Sequence, residues 1–475
     1  MSFECDFIEL GSICEIKSGK RLPKGHTLTS NPTPNPYIRL VDIDAGRISR
    51  GNIQFIDEST KAKIKKYIIE EDDVCLAIVG HTIGMVFFVE KEWDGCNLTE
   101  NAARITKLDG RFNPKFIYYY LNSVAGQHEI VSRKVGSAQG KLPLYNINRI
   151  PIPNIKLLEQ NFIVTILDNL DKKIRLNEIA NQTLEQMAQS LFKSWFVDFE
   201  PVKAKIAVLE AGGSPEDATL AAMTAISGKD TEALTVFERE HPEQYAELKA
   251  TAELFPFAMQ DSEMGEIPVG WESSPLSEKI KLTGGGTPKR SEPAYWDGDI
   301  CWYSVKDAPA ESDIFVIDTT EKITKNGLNK SSAKLLPIGT TIISARGTVG
   351  KLALTATEMA MNQSCYGITG GEYSGPLLTY LKVKQCVDVL KRNTHGAVFD
   401  TITTSTFDTV VTLTASKNIN HQFEKTVTPL FRAIEKNLRA NACLTQLRDT
   451  LLPKLLSGEI NLPEAEQAVS EVENV

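Results

Sequence analysis

Two stretches of this chain repeat one seven-residue pattern, and that repetition limits what the chain can fold into. Between Leu167 and Trp195, one column holds Leu170, Asn177, Leu184 and Leu191, and the other holds Leu167, Ile174, Asn181, Ala188 and Trp195. Between Phe423 and Leu455, the columns are Phe423, Leu430, Asn437, Leu444 and Leu451, then Val427, Ile434, Asn441, Arg448 and Leu455. Apolar residues at these spacings make a helix with a seam that must be covered. Asn177 and Asn181 fall on Asn437 and Asn441 at one offset of 260 positions. A buried asparagine sacrifices stability but fixes register, because a slip sets its amide against leucine. An asparagine at a solvated edge of the seam is the alternative. Two matched seams imply an antiparallel pair.

The chain between the seams repeats too. Leu10-Gly-Ser-Ile13 followed by Ser18-Gly19-Lys20-Arg21-Leu-Pro23-Lys24 parallels Leu276-Ser-Glu-Lys followed by Gly284-Gly-Gly-Thr-Pro288-Lys289-Arg290. Ile78-Val-Gly-His81-Thr82-Ile-Gly84 parallels Ser344-Ala-Arg346-Gly347-Thr348-Val-Gly350, and Asn97-Leu-Thr-Glu-Asn parallels Asn362-Gln-Ser-Cys-Tyr. Strand-length apolar runs (Pro36–Val41, Val74–Val79, Met85–Val89) alternate with turn-rich pieces, and Pro114–Ser123 reads as a helix. A period this long is a domain duplication, not a solenoid.

The expected organisation is α+β. A mixed α/β head (1–155) leads into a first long-helix segment (156–205), whose helix runs from about 157 to 199, about 60 Å at 1.5 Å per residue, and is stopped by Pro201. An acidic helical insert and surface connector (206–267) follow, with a helix start at Ser214-Pro-Glu-Asp217. A second head (268–418), a second long helix (419–457) and an acidic tail (458–475) complete the chain. Antiparallel pairing of the helices would relate the heads by a pseudo-twofold axis.

The net charge of −9 disfavours nucleic acid until its distribution is considered. Residues 207–270 hold thirteen acids and three bases, and the stretch from Ser457 onward holds five acids and no base. Setting aside these −10 and −5 contributions leaves about +6 on the remainder. The acids either mask a basic body or simply keep a long chain soluble. No apolar run reaches the ~18 residues a membrane span needs, and MSFECDFIEL lacks the features of a signal peptide. Eight scattered cysteines without a C-x-x-C pair fit a reducing cytoplasm better than a zinc or disulfide framework.

Catalytic signatures are missing. Gly347-Thr-Val-Gly350-Lys351 has the wrong spacing for a phosphate loop, and H-E-x-x-H and G-x-S-x-G do not occur. Asn31-Pro32 and Asn35-Pro36 lack the rest of the Asn-Pro-Pro-aromatic motif of amino-methyltransferases. What remains is binding chemistry on glycine-rich loops. The first head offers Lys17, Lys20, Arg21, Lys24, His81, Thr82 and Lys141. The second offers Lys289, Arg290, Lys306, Arg346, Thr348 and Lys351, with Trp296, Trp302 and Tyr303 beside them. Arg and Lys can neutralise phosphates or reach guanine, and Asn or Gln can read adenine. For any one lysine a solvated surface charge is the commoner case. Arg346 stands out because it follows the apolar strand Thr341–Ser344 and opens a Gly-Thr-Val-Gly turn; its expected counterpart is Gly80, with His81 next.

Together these features resemble the DNA-specificity subunit of type I restriction-modification systems, over nearly the whole length. The resemblance rests on Leu184-Glu-Gln-Met-Ala-Gln-Ser-Leu-Phe-Lys-Ser-Trp-Phe-Val-Asp-Phe-Glu-Pro-Val-Lys-Ala-Lys205 and on Ser262-Glu-Met-Gly-Glu-Ile-Pro-Val-Gly-Trp271. Gly284-Gly-Gly-Thr-Pro288 with Tyr295-Trp296, Ile343-Ser-Ala-Arg-Gly-Thr-Val-Gly350 and Leu451-Leu-Pro-Lys-Leu-Leu-Ser-Gly458 support it. It implies two target-recognition domains, each reading half of a split, asymmetric site in double-stranded DNA. The paired helices would set the spacer and dock two methyltransferase subunits. It also implies that this chain is non-catalytic and holds no cofactor or metal. The methyltransferase partners would use S-adenosylmethionine, and restriction subunits would add ATP- and Mg-dependent translocation and cleavage. The first head departs from the pattern, with Ser18-Gly-Lys20-Arg21 where the second has Gly-Gly-Thr-Pro. The acidic insert is expected to lie off the DNA, against a partner. The rival from another class is an assembly scaffold with two protein-binding heads on a coiled-coil bar.

Overall fold

The computed structural model describes residues 6–136, 140–309, 313–372, 374–394, 401–457 and 459–460. The expected acidic tail falls almost entirely outside them, as do Ser137–Gln139 of the first head's glycine loop. Two compact units emerge, one of residues 1–174 with 440–475 and one of residues 175–439. The division runs through both long helices, Leu157–Phe196 and Lys417–Ser457.

In the first unit, a four-stranded antiparallel sheet runs in the order Glu15–Ser18, Ala102–Thr106, Val74–Ala77, Val86–Phe88. Beside it, Pro36–Ile38 pairs antiparallel with Gln54–Phe55 and parallel with Asn97–Leu98. The helix Pro114–Asn122 starts with proline in its first turn, where no N–H is needed, and Asn113 caps it. Its Phe116, Ile117, Tyr120 and Leu121 bury against Val74, Leu76, Val86 and Ile105. Gln160 fastens this head to the start of the long helix: its side chain accepts from Asn113 N (2.8 Å) and donates to Arg111 O (3.1 Å).

The second unit repeats the plan. Its larger sheet runs Ile280–Gly284, Cys365–Gly370, Thr341–Ser344, Leu352–Thr355, with Phe315–Val316 added in parallel at the edge. Trp296–Tyr303 pairs antiparallel with Lys322–Ile323 and parallel with Met359–Met361. The helix Pro376–Arg392 is the counterpart of Pro114–Asn122. In each unit a short antiparallel strand pair closes the head, Phe7–Glu9 with Pro151–Pro153 and Glu272–Pro275 with Val411–Thr414.

Within each unit, the two long-helix segments pack antiparallel. In the first, Leu167 and Leu170 share a core with Leu444, Leu451 and Leu452, and Asp171 meets Arg448 at 2.9 Å. In the second, Ala188, Phe192 and Trp195 pack with Phe423, Val427, Phe431 and Ile434, and Asn437 Nδ2 donates to Asn181 Oδ1 at 2.9 Å. Asn177 and Asn181 are buried; Asn437 and Asn441 are half-buried. The seam departs from the strict heptad near the second head. Glu185 and Phe192 are buried, while the columnar Leu184 and Leu191 are only partly so. A straight helix drifts against a seven-residue repeat, and the head supplies Tyr380 and Lys384 to meet Glu185.

Two expectations fail here. The first long helix ends at Phe196, not at Pro201. Phe199 takes a left-handed conformation (φ 56°), and Pro201 lies in the first turn of a new helix, Glu200–Glu210, where proline is tolerated. The connector before the second head is no surface linker. Met259–Ser262 and Gly265–Pro268 form a hairpin, and Phe255, Ile267 and Trp271 are buried. Trp271 packs on Phe196 (5.7 Å between ring centroids) and Phe199 (5.6 Å), Phe255 on Trp195 (5.1 Å), and Phe423 on both Trp195 and Phe196. The two phrases that carry the family resemblance therefore meet in one aromatic core. The insert continues as helices Pro215–Ser227, Thr231–Glu240 and Pro242–Glu253, the first opened by the expected capping box of Ser214 and Asp217. Glu247 ties it to the second long helix through Lys425 (2.6 Å).

Candidate nucleic-acid interface

Strand register aligns the two heads residue by residue. Tyr37 and Ile38 oppose Asn97 and Leu98 as Trp302 and Tyr303 oppose Ala360 and Met361. Ala102 opposes Ala77 as Cys365 opposes Ser344. Hence Gly19 matches Gly285, Thr99 matches Asn362, Glu100 matches Gln363 and Ile78 matches Ala345. Two sequence alignments need correction. The counterpart of Asn362 is Thr99, two places beyond Asn97. The counterpart of Arg346 is Val79, while Gly80 matches Gly347; both glycines have positive φ (71° and 77°). The first head carries one more residue before Gly84, whose match is Gly350, so similarity of the letters alone set the register one place off.

In both heads, backbone hydrogen bonds lace the loops at the strand ends together. In the first, Lys20 N donates to Leu98 O (2.9 Å), Ile78 N to Asn101 O (2.9 Å) and Gly80 N to Gly140 O (2.8 Å). In the second, Gly286 N donates to Met361 O (2.9 Å), Ala345 N to Ser364 O (2.8 Å) and Asn362 N to Tyr303 O (2.9 Å). Buried aromatic donors brace the same point: Tyr37 Oη reaches Lys20 O at 2.7 Å and Trp302 Nε1 reaches Gly286 O at 2.9 Å.

This lacing brings Lys20, Arg21, His81, Thr82 and Lys141 onto one set of connected loops. It does the same for Lys306, Arg346, Thr348 and Lys351. Lys20, His81, Lys141, Lys306, Arg346 and Lys351 are exposed. Among the described residues, Lys24, Lys141, Lys289, Lys306, Arg346 and Lys351 have no ion-pair partner. Ser344 Oγ accepts from Lys351 N (2.8 Å) and donates to Thr348 O, which holds the Arg346 turn closed.

Other candidates are already engaged or lie on neighbouring turns. Lys17 pairs with Glu15. Arg290 pairs with Glu321 and lies 3.9 Å over the Trp296 ring and 5.0 Å over the Trp302 ring, next to Lys289 in sequence. Lys24 lies in a turn near the helix Glu58–Ile64, where His26 binds Thr60 (2.6 Å). Arg21 Nε donates to Glu100 Oε1 at 2.6 Å. Burial pushes the Glu100 carboxyl up, but hydrogen bonds from Arg21, its own backbone N–H and Thr99, with the Arg21 charge, together hold the group below its ordinary value. At the matched positions, Thr287 Oγ1 donates to Gln363 Oε1. Glu100, Thr287 and Gln363 were not among the sequence candidates. Their signal was present in the repeat but lay outside the basic residues being sought.

A duplicated mixed α/β head with laced, partly basic loops, set on long paired helices, defines a two-headed recognition protein. Residues 4–186 and 268–442 match the family of type I restriction modification DNA specificity domains, and the chain belongs to that family. It is 32% identical over 442 residues to the type I restriction enzyme HindI specificity subunit of Haemophilus influenzae, covering 90% of this chain and 95% of that protein. Identity to the MjaIX specificity subunit of Methanocaldococcus jannaschii is 23% over 355 residues, 74% of this chain and 70% of that one. The crystal structure of the type I restriction-modification S subunit from M. genitalium aligns with a TM-score of 0.48 at 14% identity, covering 96% of this chain and 97% of that one. No helix of the described residues is long and apolar enough to cross a membrane.

Proposed function

We propose that this specificity subunit reads a split, asymmetric site in double-stranded DNA, one head per half, and docks two methyltransferase subunits. The observation that carries this is the loop lacing: one backbone scaffold, present twice, presents different side chains at matched positions. Two copies of one reading device with different contents are what a two-part asymmetric site requires. Exposed Arg346, which has no acidic partner among the described residues and sits on a closed strand-end turn, is suited to a guanine edge or a phosphate.

Docking is assigned to the outward face of the first long helix. Leu176, Ile179 and Met187 are exposed there at helical spacing, on the side away from the buried seam positions. Asn181 with Asn437 is the register mark that fixes the helix pairing and thus the spacer, Asn177 and Asn441 adding to it. S-adenosylmethionine belongs to the methyltransferase partners, and ATP and Mg to restriction subunits that join them.

The test is Arg346→Ala in the assembled complex, with methylated sites mapped across a genome. Base preference should relax at least tenfold in one half-site and stay unchanged in the other. Equal loss in both halves, or in neither, defeats the two-head reading. Binding of the complex to duplex should also weaken steeply with salt; salt-insensitive or absent binding would favour a protein-binding scaffold instead.

A further inference from the structure

The matched side-chain pairs beside the glycine seats join Arg21 of the basic-loop reading to three residues that reading leaves out, Glu100, Thr287 and Gln363. A Cβ on Gly19 would lie 2.0 Å from Thr99 O, and one on Gly285 would lie 1.9 Å from Asn362 O. Only glycine lets the two loops approach this closely. The residue two places beyond the glycine then meets the residue just after that carbonyl, giving Arg21 with Glu100 in one head and Thr287 with Gln363 in the other. The scaffold beneath matches in the bonds Lys20 N to Leu98 O and Gly286 N to Met361 O, and in the aromatic donor at Tyr37 or Trp302. On it the side chains differ, an ion pair in one head and a neutral hydrogen bond in the other.

Arg21 is 81% exposed at its side chain, and the bond to Glu100 uses its Nε. Its two Nη groups remain to present a flat pair of donors, which matches O6 and N7 of guanine. Gln363 is exposed, and Thr287 holds its amide oxygen through one lone pair. The second lone pair and the Nε2 donor remain, which complement N6–H and N7 of adenine. We propose that Arg21 and Gln363 are specificity-determining residues, reading a guanine in one half-site and an adenine in the other, with Glu100 and Thr287 as their positioning residues. This rests on the two-head DNA reading above.

The experiment expresses the full chain with its methyltransferase subunits and maps methylated motifs for wild type, Arg21→Ala, Arg21→Lys, Gln363→Ala, Gln363→Glu, Thr287→Val and Thr287→Ser. Wild type should give a bipartite motif; no bipartite motif would sink the two-head reading and this inference with it. Given that motif, Arg21→Ala should lose at least tenfold discrimination at one guanine and leave the other half-site intact. Gln363→Ala should do the same at one adenine of the other half-site. Gln363→Glu should shift that position toward cytosine, whose N4 donates to a carboxylate. Thr287→Val should relax the adenine position and Thr287→Ser should restore it, which a merely structural role would not produce. The unaltered half-site reports folding within each variant. A wild-type motif retained at every base in Arg21→Ala and Gln363→Ala overturns the assignment while leaving the two-head reading standing. Uniform loss of methylation in both Arg21→Ala and Arg21→Lys also overturns it.

Discussion

The two heads share a backbone plan but are fastened to their long-helix segments by different chemistry. In the first unit the anchor is Asp171, a buried carboxylate on the first long helix. It accepts from Tyr119 Oη at 2.8 Å, and Arg448 of the second long helix meets it at 2.9 Å. Burial alone would lower the Arg448 pKa, but Asp171 and Asp449 outweigh it and raise the group. In the second unit the carboxylate is Glu185, and its cation, Lys384, comes from the head's own helix, next to Tyr380. Arg448 occupies a seam position; its counterpart at the 260-residue offset is the buried Ala188. A small residue there lets aromatics close the second unit's seam, whereas the first unit spends that volume on a charge. The two units thus pack one ionic and one aromatic seam, each with a head tyrosine in contact with a helix carboxylate.

The sharpest break of that comparison is to delete the carboxylates. Asp171→Ala strands the buried Tyr119 hydroxyl and leaves Arg448 with Asp449 alone, and should cost about 3 kcal/mol in denaturant unfolding. Glu185→Ala should cost less, because the Tyr380 hydroxyl lies 3.5 Å from Glu185, a weaker bond than the 2.8 Å one from Tyr119 to Asp171. Equal losses would show that the two anchors are energetically alike despite their different sources of charge.

Where the heads are the same, the same lesion should cost the same. Gly19→Ala and Gly285→Ala each force a methyl against a backbone carbonyl, which cannot swing aside as a side chain can. Each should lose about 2 kcal/mol in thermal or denaturant unfolding. A large loss in one head with little in the other would mean that the shared seat bears different strain in the two.

Much of this was legible in the sequence, for identifiable reasons. Long helices declare themselves by periodicity, and their duplication shows because apolar residues and asparagines recur at one fixed offset. The strands Val74–Ala77, Val86–Phe88 and Thr341–Ser344 and the helix Pro114–Asn122 follow directly from apolar runs and end signals. Pro201 misled because proline breaks a helix interior but is at home in a first turn, and only the backbone at Phe199 decides between the two. The hairpin and Trp271 read as a connector because proline and glycine mark turns whether or not the flanking residues are buried. At the candidate interface, the loops were visible but their pairing was not. The partners Glu100 and Gln363 depend on the register between strands far apart in sequence, and the extra residue before Gly84 separately hides the match of Arg346 to Val79.

The remaining difference between the units is the helical insert, anchored in the second unit by Lys205. Its ammonium is fully buried, donates to Phe255 O at 2.7 Å and lies 4.1 Å over the Phe257 ring, and no carboxylate pairs with it among the described residues. Burial lowers its pKa from 10.5 to about 8. The sign follows from proton counting. Between pH 8 and 10.5 the unfolded chain still holds the proton that the folded chain has released, so this group makes stability rise with pH in that window. Below pH 8 the full cost of a buried charge is present. Lys205→Met keeps the stem's volume and removes that cost along with the hydrogen bond and ring contact. Stability at pH 7 should rise by about 1 kcal/mol, the two losses offsetting part of the gain. The advantage should shrink, and reverse, as pH approaches 10. Urea unfolding of both chains at pH 7 and pH 10 checks this. If the variant is weaker at pH 7 by an amount that does not change with pH, Lys205 is a net anchor, and the insert is bound to its unit by the same kind of polar contact that fastens the heads.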